Sequence, residues 1–387
     1  MLMKLNAEFI KDINQYNLVL ATLNSVDPSG KLTEHSEKVA YTIYKMMQTF
    51  SHYSDRDMRI ACSFAVMHDI GMAMTVSENG PFEFDEKANL DVFSHSIYGY
   101  IIFKYIANYS DMAGAILYHH LDFRTSKENV IESMRFASAL HIADDFIIND
   151  CNLAEIEKFK GNRYNPDTVA TLYRALTETN LIEGLHSNLY KEELQKLLGE
   201  ARYSSMSFKA MLRVFLYAFE NKKHNNSELS SYSAYISWVI GDLFNLDDYK
   251  KSEVYTAAAL QNLDIAASGD NVVNIINRVK AVNISITCDL VLLLSNRLAT
   301  EIYRIVTLDK SDITPQVVRT AVSNLLDSKD NYNEHFAKLT PVQVDKIARI
   351  LRPVHGDVQT VLNKIETEYK DKLQFMNSNY LRANIDK

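Results

Sequence analysis

Histidine side chains are concentrated in the first 141 residues of the sequence, and two aspartates accompany them. Seven of the 11 histidines lie there, at His35, His52, His68, His95, His119, His120 and His141. Asp69 directly follows His68, and Asp144 comes three residues after His141. Imidazole nitrogens and carboxylate oxygens are side-chain ligands of first-row transition metals. The first part of the chain therefore predicts a metal site built from nitrogen and oxygen ligands.

The number of these side chains exceeds what one tetrahedral ion needs. Mixed nitrogen and oxygen ligands without a thiolate favour Fe, Mn, Zn, Co or Ni over Ca or Mg. In a two-metal site a carboxylate can bridge both ions, a bridging water becomes hydroxide near neutral pH, and the ions hold the oxygens of a phosphoryl group during in-line attack. The set therefore predicts two metal ions and the hydrolysis of a phosphoester.

Each residue alone also has a simpler structural interpretation. A single histidine on the apolar face of a helix is more often a hydrogen-bonded core residue than a ligand. A buried carboxylate such as Asp69 or Asp144, however, is costly unless a cation compensates its charge. Because five successive predicted helices each direct a His or Asp inward, we interpret the set as one site. His52 lies in a polar linker and is expected to be exposed, and the four histidines after position 141 are expected to be structural.

Helical periodicity predicts the elements that carry these residues. Apolar residues recur at spacings of three and four, and the histidines share their faces. Ser54, with Asp57 three residues later, predicts a capped helix start. The predicted helices cover residues 33–50, 54–71, 88–107 and 130–148, with a short helix that starts at position 110.

Glycine and proline are scarce, with 11 Gly and 6 Pro in 387 residues. Average usage would give roughly 27 and 19, and sandwiches, barrels and propellers need many turn-forming residues. The composition therefore predicts an all-α fold. The length predicts about two domains.

Charge and cysteine content narrow the class of protein. A formal net charge of -8 argues against duplex nucleic acid as a partner, because phosphate binding needs a basic surface. Cys62, Cys151 and Cys288 are far apart and odd in number, so they predict neither disulfides nor a thiolate site. No run of eighteen apolar residues and no export signal are visible in the sequence. We therefore expect no membrane partner and a cytoplasmic location.

The chemically active residues form an ordered series of motifs. The order is His35, then His68-Asp69-Ile70-Gly71, then His95 followed by Gly99, then His119-His120, and finally Asp144. Asn165-Pro166-Asp167 follows further along the chain, where a Phe-Asp-Pro element would complete the pattern. This series resembles the HD phosphohydrolase superfamily and, within it, the HD-GYP branch. The resemblance covers about residues 25 to 180.

The resemblance implies a helical bundle that binds two divalent transition metal ions, usually iron or manganese in this branch. It implies Asp69 as the bridging carboxylate, and Asp69 and His68 as catalytic residues. The implied metal ligands are His35, His68, Asp69, His95, His119, His120 and Asp144. The best-known activity of the branch is hydrolysis of cyclic di-GMP. A cyclic dinucleotide is thus the expected substrate, hydrolysed by attack of a metal-bridging hydroxide on phosphorus.

The sequence departs from the HD-GYP pattern at three positions. Met72 stands where the HDIGK motif has a lysine, which removes a cation expected to stabilise phosphate charge. The run after His120 lacks the Gly-Tyr-Pro element altogether. Lys31 replaces a glutamate found in members with a third metal, so we expect two ions rather than three.

Three further residues have two open interpretations each. Arg124 and Lys127 follow His120 and could supply the phosphate contacts that Met72 cannot, since arginine offers a bidentate fork and lysine a point charge. The alternative for both is a solvated loop. His141 shares a helix face with Asp144 and could orient a metal ligand from the second shell, or it could be a hydrogen-bonded core histidine.

The remaining sequence is predicted to be helical and without ligands. We predict an N-terminal helical segment over residues 1–24, the HD-like domain over 25–185, and a helical C-terminal domain over 186–387. A weak internal echo places Gln261 and Asn262 near the positions of His68 and Asp69, which predicts a degenerate HD-like repeat unable to bind metal. The alternative is an unrelated helical domain for partner binding or for homodimerisation through its C-terminal helices.

Three functions remain open at this point. The leading hypothesis is a metal-dependent phosphodiesterase that hydrolyses cyclic di-GMP or a related cyclic dinucleotide. The second is an HD phosphohydrolase for mononucleotides, which the absence of the Gly-Tyr-Pro element and the presence of Met72 suggest. The third is a regulatory protein that binds a nucleotide without turnover.

Overall fold

The computed structural model confirms the all-α prediction. It describes residues 6, 8, 15–27, 29–72, 92–106, 110–126, 132–199, 209, 212–213, 227–260, 286–328, 332–355 and 367–374. Within these ranges the chain forms helices and no strand, and one isolated bridge joins Lys160 and Tyr164. None of the helices in these ranges is long and apolar enough to cross a membrane.

The chain divides into two compact units. Helices of the first unit come mainly from the N-terminal half. They are α1 (Gln15–Val26), α2 (Lys31–Gln48), α3 (Asp55–Val66), α4 (Val92–Ile101) with a π-helical turn (Ile102–Ile106), α5 (Ser110–Tyr118), α6 (Phe123–Ser126), α7 (Glu132–Ile148), α8 (Leu153–Lys158), α9 (Pro166–Glu178), α10 (Leu181–His186), α11 (Leu189–Gly199) and, from the C-terminal end, α17 (367–374). Helix α11 lies after residue 185, where the sequence predicts a domain boundary, and it packs against α2 within the first unit.

Helix α2 lies at the centre of the first unit, packed against α1, α3, α7, α9, α10 and α11. Its start is fixed by Asp27, whose carboxylate accepts hydrogen bonds from the backbone N–H groups of Ser29 and Leu32. The prediction that His35 lies on the apolar face of this helix is confirmed, because His35, Val39, Ile43 and Met46 are all buried. The hydroxyl of Tyr16 on α1 donates to the buried Glu37 carboxylate at 2.6 Å.

The start of α3 follows the prediction from sequence. The Ser54 side chain accepts from the Asp57 N–H while the Asp57 side chain accepts from the Ser54 N–H, so a complete capping box is present. The α-helix ends at Val66, and the following turns carry His68 and Asp69. These two residues therefore lie just beyond the helix, where the backbone can turn toward α4.

Gly71 allows the segment after α3 to approach α4 closely. A Cβ atom at Gly71 would lie 1.8 Å from the backbone oxygen of His95 and 2.4 Å from the backbone nitrogen of Gly99. A side chain at position 71 is therefore incompatible with this packing. The contact places the residues that follow α3 directly beside the helix that carries His95.

The second unit has its own apolar core. Its helices are α12 (Ser227–Leu243), α13 (Asp248–Leu260), α14 (Ile286–Asp309), α15 (Pro315–Asp327) and α16 (Pro341–Leu351), with a 3-10 helix (Asn333–Lys338) before α16. Thr314 and Thr340 cap α15 and α16, and proline occupies the first turn of each. The described residues of this unit contain no group of three His, Cys, Asp or Glu side chains close enough to share an ion. Gln261 and Asn262 lie outside the described residues, so the degenerate repeat stays a prediction.

Candidate metal centre

Five elements of the first unit meet at one buried point. All seven ligands predicted from the sequence come together there. They are His35 from α2, His68 and Asp69 after α3, His95 from α4, His119 and His120 after α5, and Asp144 from α7. His120 is the most exposed of them, with 9% of its side chain accessible, followed by His95 at 6%. Any approach from solvent is therefore on the side of His120 and His95.

Four of the seven residues form a first donor group: Asp69, His95, His119 and His120. Their donor atoms all lie within 4.8 Å of one another. The Asp69 Oδ1 atom is 3.2 Å from His95 Nε2 and 3.7 Å from His119 Nε2. His95 Nε2 lies 3.0 Å from His120 Nε2. Three imidazoles and one carboxylate oxygen thus point at a common volume.

The second donor group consists of His35, His68 and Asp144, again with donor atoms within 4.8 Å of one another. Asp144 Oδ1 is 3.0 Å from His35 Nε2 and 3.8 Å from His68 Nε2. The other oxygen of Asp69, Oδ2, is 3.7 Å from His35 Nε2 and 3.3 Å from His68 Nε2. The Asp69 carboxylate therefore lies between the two groups, with one oxygen facing each.

The tautomers of two histidines are fixed by the backbone. His68 Nδ1 lies 2.8 Å from the Ala65 carbonyl oxygen, and His119 Nδ1 lies 2.6 Å from that of Ile116. A carbonyl oxygen can only accept, so each Nδ1 carries a proton and donates it. The Nε2 atom of each ring is then directed at the centre. Backbone carbonyls commonly hold metal-binding histidines in this way.

Several buried atoms of the centre have no hydrogen-bond partner among the described residues. They are His68 Nε2, Asp69 Oδ1, His120 Nδ1 and Asp144 Oδ1. Unpartnered polar atoms and carboxylates are expensive to bury. A cation between them would satisfy these atoms, so both donor groups fit a metal ion, and transition metals suit their nitrogen-rich composition.

The ionisation of the centre reflects competition between burial and neighbouring charge. Burial would raise the pKa of Asp69, but the His68 and His95 rings hold that pKa well below the usual range. The pKa of Asp144 is low for the same reason, because the adjacent His35 and His68 rings outweigh the effect of burial. Burial lowers the pKa of His95 to about 4. Burial would also lower the pKa of His68, but the carboxylates of Asp69 and Asp144 outweigh burial and raise that pKa well above its usual value. Without an ion the centre thus combines two ionised carboxylates with a neutral His95 ring and a protonated His68 ring, and metal binding would displace the His68 proton.

His141 lies outside both donor groups. Its ring contacts that of His120 edge-on at 6.1 Å between centroids. Its Nε2 atom accepts a hydrogen bond from Arg163 Nε at 3.1 Å and lies 3.2 Å from Asp145 Oδ2. The structure therefore places His141 directly behind His120, and its role in orienting that ligand stays a prediction.

The network that surrounds His141 is not predicted from the sequence. Asp145 accepts hydrogen bonds from Arg163 Nη2 and from the Tyr164 hydroxyl, the latter at 2.7 Å. Arg163 keeps 40% of its side chain exposed while two of its nitrogens are anchored. The spacing of His141 and Asp145, four residues apart on a helix, is the one signal that could have indicated this pairing. Nothing in the sequence pattern connects Arg163 with them.

The predicted substrate-binding loop is described only in part. Arg124 is exposed on α6, and its backbone N–H donates to the Asn162 carbonyl at 3.0 Å. The Phe123 N–H donates to the Arg163 carbonyl at 2.9 Å. These two bonds join the segment after His120 to the segment that carries Arg163. Lys127 lies outside the described residues, so its predicted role is neither supported nor contradicted.

The comparisons with known proteins add little to this geometry. No family model matches the chain, and no curated protein matches it. Among solved structures, a crystal structure of a cyclic GMP-AMP specific phosphodiesterase of V. cholerae (V-cGAP3) aligns with a TM-score of 0.46 and 13% identity, covering 85% of this chain and 96% of that chain. At this level of similarity the match carries no conclusion, and the case for function rests on the centre itself.

Proposed function

We propose that this protein is a metal-dependent phosphodiesterase with a dinuclear centre of the HD type. The observation that carries the proposal is the position of Asp69, whose Oδ1 faces three imidazoles and whose Oδ2 faces the second donor group. A carboxylate that offers one oxygen to each of two nitrogen-rich groups is suited to bridge two ions. A single-ion site would need neither the second group nor a shared carboxylate.

The residues divide between the two ions according to the donor groups. His35, His68 and Asp144 would hold one ion, His95, His119 and His120 the other, and Asp69 both. We propose iron or manganese, which accept mixed nitrogen and oxygen ligands. When bound, two such ions supply Lewis-acid stabilisation of phosphoryl charge and activation of a water molecule. Asp69 and His68 are the proposed catalytic residues within this set.

The protein contributes fixed orientation and exclusion of water. The backbone carbonyls of Ala65 and Ile116 hold the His68 and His119 rings with Nε2 directed at the centre before any ion arrives. Because the side chains of the centre are almost fully buried, except on the side of His120 and His95, electrostatic interactions there act in a low-dielectric environment. We propose that the phosphoester approaches from that side.

Contacts to the substrate phosphate must come from residues other than position 72. Met72 is apolar and 5% exposed, so this part of the chain offers no cation at the position of the motif lysine. We propose Arg163, together with Arg124 and Lys127, as the source of positive charge. Arg163 is held by His141 and Asp145 through Nε and Nη2, and we propose that Nη1 contacts a phosphate oxygen.

The proposed substrate is a cyclic dinucleotide, cyclic di-GMP or a relative. A second candidate is a mononucleotide, favoured by the burial of Met72 and the loss of the Gly-Tyr-Pro element after His120. The two differ in product, because hydrolysis of a cyclic dinucleotide yields a linear dinucleotide, whereas hydrolysis of a monophosphate releases inorganic phosphate.

The test is a panel of cyclic dinucleotides and nucleoside monophosphates incubated with metal-free protein supplied with Mn or Fe. The proposal predicts metal-dependent appearance of a linear dinucleotide, abolished in Asp69→Asn and retained in His52→Gln, which alters an exposed histidine outside the centre. Release of phosphate from the monophosphates would show that the substrate is a mononucleotide, the second candidate. Binding of a nucleotide without turnover in the presence of bound metal would refute the enzymatic proposal and favour a regulatory protein.

A further inference from the structure

The C-terminal helix α17 returns to the first unit, although the five helices before it build the second unit. Its residues 367–374 pack against α4, the helix that carries His95. The contacting residues are separated by 264 to 275 positions in the sequence. The last described helix of the chain is therefore a neighbour of the candidate metal centre.

Contacts of several kinds join α17 to α4 and its π-helical turn. The hydroxyl groups of Tyr369 and Ser94 form a hydrogen bond, and Ser94 directly precedes His95. The Tyr369 ring stacks on Tyr98 with centroids 4.7 Å apart and planes inclined by 18°. Further along, Glu368 forms an ion pair with Lys104 at 2.7 Å. A hydrogen bond, a ring stack and an ion pair thus follow one another along the helix of His95.

Helix α4 is held on both sides of His95. At about 100° per residue, Gly99 lies about 40° to one side of His95, where it contacts the Gly71 segment. Tyr98 lies about 60° to the other side, where it contacts α17. A ten-residue helix has little stability of its own, and α4 continues into a π-helical turn. Its orientation therefore depends on these packing partners.

We infer that α17 positions His95, with Tyr369 as the main positioning residue. This inference rests on the proposed metal centre and assigns the C-terminal helix to its construction. His95 belongs to the donor group with His119 and His120 and not to the group with His35 and His68. Loss of the α17 contacts should therefore weaken the binding of the ion at the first donor group and leave the binding of the ion at the second group unchanged.

The experiment titrates the metal-free full-length chain with Mn and measures the affinity for each ion, together with the melting temperature. Tyr369→Ala removes both the ring stack and the hydrogen bond, whereas Tyr369→Phe removes only the hydrogen bond. Tyr332→Ala is the matched control, since Tyr332 is 44% exposed in the second unit. We expect one ion to bind about tenfold more weakly in Tyr369→Ala and less than tenfold more weakly in Tyr369→Phe, which corresponds to the energy of one or two polar contacts.

The other ion should bind unchanged in both variants, and Tyr332→Ala should match the native protein. Native affinity for both ions in Tyr369→Ala would overturn the inference, and so would an equal loss for both ions that follows a lower melting temperature. If the native protein binds two ions, the proposed metal centre stands whichever result the Tyr369 variants give.

A measurement without metal separates the inference from the proposed function. If the native chain binds no ion, the proposed function fails, and the position of His95 is then followed by the NMR signals of its ring, assigned through His95→Gln. A shift of the His95 signals in Tyr369→Phe, with the His35 signals unchanged, supports positioning by α17. Unchanged His95 signals overturn it.

Discussion

The backbone oxygen of His95 occupies the space in which Gly71 would carry a side chain, since a Cβ at position 71 would lie 1.8 Å from it. This contact joins the segment of Asp69 to the helix of His95, and the two donor atoms of these residues lie 3.2 Å apart. This close backbone approach thus coincides with the meeting point of two proposed ligands. Glycine at position 71 is a requirement of the site as well as of the fold.

Substitution of Gly71 by alanine should therefore destabilise the protein strongly. Because the obstacle is backbone that cannot rotate away, we expect a loss of more than about 3 kcal/mol in the free energy of unfolding, or no folded protein. Gly99→Ala is the matched comparison, because its Cβ would meet the Cγ2 methyl group of buried Ile116 at 2.8 Å, an obstacle on a side chain rather than on the backbone, and it should cost less than Gly71→Ala. Urea unfolding of both variants checks this. Equal and small losses would contradict the account of this contact.

Single-ligand variants should remove the ions separately. His35→Gln should lose the ion of the His35, His68 and Asp144 group, whereas His120→Gln should lose the ion bound with His95 and His119. Each variant should retain about one equivalent of metal in elemental analysis, and affinity for the lost ion should fall at least about tenfold. Loss of both equivalents in either single variant, with the fold intact by circular dichroism, would mean that the two groups do not bind independently.

Arg163 should contribute to substrate binding more than to the chemical step. We expect Arg163→Lys to raise KM about tenfold, since lysine lacks the fork that lets one guanidinium contact Asp145 and a phosphate together. Metal content should not change. The control is Arg174→Lys, an exposed arginine paired with Glu178. An unchanged KM in Arg163→Lys, or a fall in kcat alone, would exclude the proposed phosphate contact.

The sequence predicts which residues meet at the site, but it does not predict how other segments pack around them. Helical periodicity and the capping box at Ser54 and Asp57 locate α2 and α3, and the inward faces of the helices bring the predicted ligands together. These features depend on residues a few positions apart in the sequence, so the spacing of residue types is enough to predict them. Arg163, which donates to His141, comes from a segment about twenty residues away, and Tyr369 reaches α4 from a distance of 275 positions. Such long-range contacts leave no periodic signal in one sequence.

Glu37 provides a test that depends on pH and does not involve metal. Burial raises the pKa of this carboxyl, although the hydrogen bond from Tyr16 acts in the opposite direction. A raised pKa in the folded state means that folding favours the protonated form. Its stabilising contribution is complete below the unfolded pKa and is lost as pH rises through the folded pKa.

Glu37→Gln should therefore be more stable than the native protein at pH 8, by about 1 kcal/mol, because the amide oxygen still accepts from Tyr16 and carries no charge. The difference should shrink as pH falls toward the range in which Glu37 binds a proton. Thermal unfolding of both proteins between pH 5 and pH 8 measures it. If Glu37→Gln is less stable than the native protein at pH 8, the ionised Glu37 carboxylate stabilises the folded state and the prediction is wrong.

The bridging position of Asp69 is the central claim, and anomalous diffraction from crystals grown with Mn or Fe tests it most directly. The account predicts two anomalous peaks in each chain, one beside Asp69 Oδ1 among His95, His119 and His120, and one beside Asp69 Oδ2 among His35, His68 and Asp144. Both peaks should be absent in Asp69→Asn. A single peak that does not contact Asp69, or no peak in protein saturated with metal, would contradict a dinuclear centre.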